Sequence, residues 1–134
     1  MEPAALAKAV GLLEDVFKEL EVKRAAGGGF VQGCQHVSAT LQEKLESAGL
    51  PAQRCILQSP YGPFINTKTN DYVHYHFFIL LVQAVFDPFT SSSPVNLSEY
   101  LKIYQGDQLH VGVPLGDSYT FVPIDNFTQG SLFR

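Results

Sequence analysis

The run Tyr72-Val-His-Tyr-His-Phe-Phe-Ile-Leu-Leu-Val82 constrains this chain more than any other segment. Aromatic and aliphatic residues fill both of its parities, so a strand here has no solvent side and reads as central, buried on both faces. With His74 and His76 inside it, the stretch is too short and too polar to span a bilayer. A tight turn near Val82 to Ala84 leads into a partner strand, Val85-Phe86-Asp87, and Pro88 limits its continuation as an interior strand.

Helices precede this sheet. From Pro3 to about Arg24, Leu6, Val10, Leu13, Phe17 and Leu20 recur at helical steps, and Gly27-Gly28-Gly29 ends the pattern. A second helix is predicted from Cys34 or Gln35 to Ala48, with Val37, Leu41 and Leu45 as its buried stripe and Gly49-Leu50-Pro51 as its stop. Gln53 to Gln58 reads as a short strand. Loops follow at Ser59 to Pro63 and at Asn66 to Asp71. Leu97, Tyr100, Leu101 and Tyr104 suggest a short helix capped by Asn96, with Glu99 placed as in a capping box. Leu109-His110-Val111 and Tyr119 to Val122 offer one or two further strands. These elements predict one α+β domain over residues 1–134.

Composition narrows the classes of function. The 134 residues are 46% hydrophobic and 16% charged, which is globular, and such a length buries roughly two-thirds of the unfolded surface. A net charge of −4 argues against nucleic acid as a main partner, because phosphate binding needs clustered Lys and Arg. The acidic residues among the first twenty do not suit a signal peptide, and no segment suits a membrane span. Two cysteines, Cys34 and Cys55, are too few for a disulfide scaffold and fit a reducing, cytoplasmic setting, with one bridge between them as the alternative. No cofactor is expected.

Chemistry concentrates on Cys34, His76 and Asp87. Cys34 stands where a loop gives way to a helix, so its thiolate would feel the positive end of the helix dipole. Gly33 allows an unusual backbone angle or close approach by a substrate. An unpaired backbone N–H of the first turn, with Gln32 as a second donor, would hold an oxyanion. Alternation places Tyr72, His74, His76 and Phe78 on one face of their strand. A two-residue turn over Val82-Gln83 sets Asp87 opposite Phe78 and diagonal to His76, within reach of its ring. A three-residue loop sends Asp87 to the other face.

The words Phe30-Val-Gln-Gly-Cys34, Ala48-Gly-Leu-Pro51, Tyr75-His76-Phe-Phe-Ile-Leu80 and Val85-Phe86-Asp87 together resemble the papain-like fold. They are closest in character to the compact papain-fold toxin domains at the ends of bacterial polymorphic toxins. In that family a Cys opens a helix, a Tyr-His pair starts a hydrophobic strand and an Asp closes the motif after an aromatic residue. The resemblance spans about Phe30 to Leu101. It implies N-terminal helices packed on a small antiparallel sheet, and a cysteine peptidase or glutamine deamidase working through Cys34, His76 and Asp87 on a protein or peptide substrate.

Other readings stand beside this one. A cysteine is often a small buried hydrophobe, and Cys55 in an apolar strand fits that description. His74 competes with His76 as the base, and Asp87 also suits the start of an Asp-Pro turn. Cys34, His36, His74 and His76 form a Cys-x-His and a His-x-His pair, but two helix residues two apart diverge too far for one zinc ion. A catalytically silent interaction module with the same fold is the alternative from another functional class.

Overall fold

A computed structural model of the protein describes residues 2–25 and 34–124. Two helices come first, α1 over Pro3–Ala25 and α2 over Cys34–Ser47. The Gly49 stop of α2 has a definite geometry. Gly49 takes φ +81, its N–H donates to Glu46 O at 2.9 Å, and the Leu50 N–H donates to Leu45 O at 3.0 Å. That is the double bond of a Schellman cap, closed by Leu50 packing into the same core as Leu45.

The strands are β1 (Gln53–Gln58), β2 (Phe64–Asn66), β3 (Asp71–Val73), β4 (Tyr75–Leu81), β5 (Ala84–Phe86), β6 (Val95–Asn96), β7 (Tyr104–Gln105), β8 (His110–Leu115) and β9 (Ser118–Pro123). A short helix α3 covers Leu97–Leu101. Six strands form one sheet in the order β6-β5-β4-β1-β8-β9, and three form another in the order β3-β2-β7. Every pairing among the described residues is antiparallel. The architecture is α+β, with a main sheet larger than the small one expected.

β4 is the central strand, between β5 and β1, and its residues from His76 to Leu81 are all buried. Each of its faces belongs to a different core. Ile79 and Leu81, with Phe86 of β5, pack against Ala9, Leu13, Val16 and Leu20 of α1 and Val37, Leu41 and Leu45 of α2. Phe78 and Leu80, with Cys55 and Leu57 of β1, pack against Phe64, Leu97, Tyr100, Leu101 and Tyr104. The helices therefore cover one face, and α3 with the three-stranded sheet covers the other. Each large side chain so enclosed contributes about 1.5–3 kcal/mol.

The structure corrects the single strand expected from Tyr72 to Val82. A bend at His74 divides it, so that Asp71–Val73 joins the small sheet and Tyr75–Leu81 the large one. Tyr72 and His74 are exposed while His76 and Phe78 are buried, so these four residues do not share one face. Asn96 caps α3 as expected, accepting from Ser98 N at 2.9 Å, but Glu99 pairs with Lys102 at 3.1 Å and so does not complete a capping box. Tyr104 falls in β7 and not on the helix.

Candidate active site

The hairpin joining β4 and β5 is what places Asp87. Leu81 pairs with Ala84, leaving Val82 and Gln83 as a two-residue turn, and Val82 takes the positive φ of 59° that such turns demand at their first position. Ile79 pairs with Phe86, so Asp87 emerges beside Phe78 on the face that carries His76. The result is a contact of 2.7 Å between His76 Nε2 and Asp87 Oδ2, both residues being buried.

Asp87 also begins the turn that its Asp-Pro sequence suggests, because Thr90 N and Ser91 N donate to its carbonyl, each at 3.1 Å. The turn helps to orient the carboxylate, since Phe89 N donates to Oδ1 at 3.0 Å. Oδ2 accepts a further bond at 2.6 Å from the Tyr100 hydroxyl of α3. Burial alone would push the Asp87 carboxyl up. The charge and hydrogen bond of His76, the Tyr100 hydroxyl and the Phe89 N–H outweigh it and hold the group below its ordinary range. Burial first, and then the Asp87 charge, raises the Tyr100 phenol well above its ordinary value, so it stays a donor. The Tyr104 hydroxyl stands 3.3 Å from that of Tyr100 and accepts from Asn66 Nδ2 at 3.3 Å.

Rings enclose the imidazole. Tyr104 lies 5.5 Å from His76 between centroids, and Phe89 lies edge-on at 6.0 Å. Beside them a cleft of about 210 Å³ is lined by His76, Tyr75, Tyr104, Phe89, Asn66, Thr69 and Asp71. An oriented, carboxylate-paired imidazole at the wall of a cleft can exchange a proton with a bound reactant.

The other expected site residues fall elsewhere. Cys34 is the first residue of α2, as its sequence suggested, but its side chain, Gln32 and Gly33 all lie outside the described residues. The first turn of α2 is held to β1 by Arg54, whose Nη1 donates to Gln35 O at 3.4 Å and whose guanidinium lies 5.0 Å above the Phe77 ring. That turn sits where β4 begins, because Gln35, His36, Arg54, His74 and Tyr75 line one cavity. His74 is thus on the α2 side and His76 in the cleft, with Tyr75 bordering both. The two histidines are not interchangeable and do not converge as a His-x-His pair. Among the described residues no three His, Cys, Asp or Glu side chains form a metal-ligating group. Cys55 is fully buried, and burial pushes its thiol up to about 12, which leaves it inert.

Sequence reasoning missed Tyr100, Tyr104 and Asn66. One signal was available: a tyrosine on the buried stripe of α3 must find a partner for its hydroxyl. No helix among the described residues is long and apolar enough to cross a membrane. Comparison of the chain with family models, with curated proteins and with solved structures gives no match.

Proposed function

We propose that this chain is a cysteine hydrolase of papain-like type that acts on an amide, either a peptide bond or a glutamine side chain. The observation that carries this reading is the buried 2.7 Å pair of His76 and Asp87 at the wall of a cleft. The start of α2 at Cys34, at the end of the sheet where β4 begins, supports it. In this mechanism the Cys34 thiolate attacks the carbonyl carbon, and first-turn N–H groups of α2 hold the oxyanion. The C–N bond breaks as the protonated His76 gives its proton to the leaving amine or ammonia. A water then loses its proton to His76 and attacks the thioester, the C–S bond breaks, and the acid departs. Asp87 holds the ring in its working tautomer throughout.

One observation favours a silent interaction module: the buried stripe of α2 packs on the sheet face opposite His76. Catalysis requires the Cys34 sulfur to reach the imidazole around the start of β4. Iodoacetamide labelling of the folded protein across pH decides between the two readings. For the hydrolase, Cys34 is alkylated with a midpoint well below about 8.5, and His76→Ala moves that midpoint up. A native Cys34 that labels only at or above that value, or not at all, leaves the silent module.

A further inference from the structure

We infer that Tyr100 is a positioning residue for His76, acting through the carboxylate oxygen that the two side chains share. The inference rests on the proposed role of the His76–Asp87 pair. Asp87 Oδ2 takes His76 Nε2 at 2.7 Å and the Tyr100 hydroxyl at 2.6 Å, while Oδ1 takes the Phe89 N–H at 3.0 Å. Two donors therefore compete for the charge of one oxygen. The phenolic hydrogen bond draws carboxylate charge away from the imidazole and limits how strongly the ring holds a second proton. It also fixes the plane of the carboxylate, because the Tyr100 ring is clamped between Phe78, at 5.0 Å between centroids, and Tyr104, at 5.5 Å.

The hydroxyl of Tyr104 and the amide of Asn66 extend the chain from Tyr100 to β2, whose Asn66 lines the cleft. Other titratable groups face His76 as well. Tyr104 packs on its ring, Tyr75 and Asp71 line the same cleft, and Lys68 donates to Thr90 O just beyond Asp87. None of these touches the Asp87 carboxylate among the bonds described. Tyr100 is the hydroxyl that does.

The test is the NMR titration of the His76 ring in the full chain, its signal assigned by its loss in His76→Ala. Tyr100→Phe keeps the ring and removes the hydroxyl, and the His76 midpoint is expected to rise by about 0.5–1 pH unit. A variant that keeps its tertiary structure and its original midpoint overturns the inference. Tyr104→Phe removes the next hydroxyl and is expected to give a smaller shift of the same sign. Should Tyr100→Phe fail to fold, an unmoved midpoint in Tyr104→Phe overturns the inference instead. The Cys34 alkylation midpoint, followed in the same samples, separates the two claims. If wild-type Cys34 shows no lowered midpoint, the hydrolase reading fails, while the ring titration still decides the role of Tyr100.

Discussion

Asp87 concentrates most of the chemistry visible in this protein. It is a buried carboxylate with donors on both oxygens, so removing its charge weakens its bonds to His76, Tyr100 and the Phe89 N–H together. Because the folded pKa lies below the unfolded value of about 3.9, the pair adds stability above that pH. The contribution disappears as pH falls through the folded value. Asp87→Asn is expected to lose about 3–5 kcal/mol at pH 7, the cost of breaking a buried pair. Urea titrations at pH 7 and at progressively lower pH check this. The gap between wild type and variant should narrow below about pH 4, and a gap that stays constant contradicts the assignment.

Among the elements, β8 and α1 make opposite demands on glycine. Gly112 of β8 lies between Ile56 and Phe121, where a Cβ would fall 2.7 Å from Ile56 Cγ2 and 2.8 Å from the Phe121 ring. Phe121 is exposed at an edge strand and can swing aside, whereas Ile56 is buried in β1 and cannot. Gly112→Ala should therefore cost about 1–3 kcal/mol. Gly11, inside α1, has nothing within 4 Å of its missing Cβ, so Gly11→Ala should stabilise by about 0.5–1 kcal/mol. Chemical denaturation of the two variants measures both. A Gly112→Ala variant as stable as the wild type would show that the packing around β8 is not as tight as described.

The molecule as a whole is organised by β4, which serves two cores at once. Cys55 of β1 reports on that arrangement, since it pairs with Phe78 of β4 and is fully enclosed. With its thiol pushed up to about 12, it should resist alkylation until the sheet opens. Its labelling by iodoacetamide is expected to follow the urea unfolding curve read by tyrosine fluorescence, the chain having no tryptophan. Labelling in native buffer as fast as in denaturant would show that the second core is loose. The same cysteine serves as an internal reference for Cys34.

Features with a local cause were readable in the residues. The helical spans of α1 and α2, the Gly49 stop, the Asn96 cap and the double-sided burial of β4 each depend on neighbours in sequence. The buried side of α1, however, is Ala9, Leu13, Val16 and Leu20, with Leu6 of the expected stripe exposed and Val10 and Phe17 half-buried. The approach of Asp87 to His76 was readable only as one of two outcomes, because it follows from alternation once the Val82-Gln83 turn has two residues. Tertiary structure settled the rest. The bend at His74 arises because the chain leaves one sheet for another, and strands as short as β2, β6 and β7 exist only through partners distant in sequence. The meeting of Tyr100 with Asp87 is of the same kind, since it requires α3 to lie across the face of β4. Periodicity records which side of an element is buried. What that side is buried against is decided by the packing of the whole chain, and the surroundings of His76 were decided there.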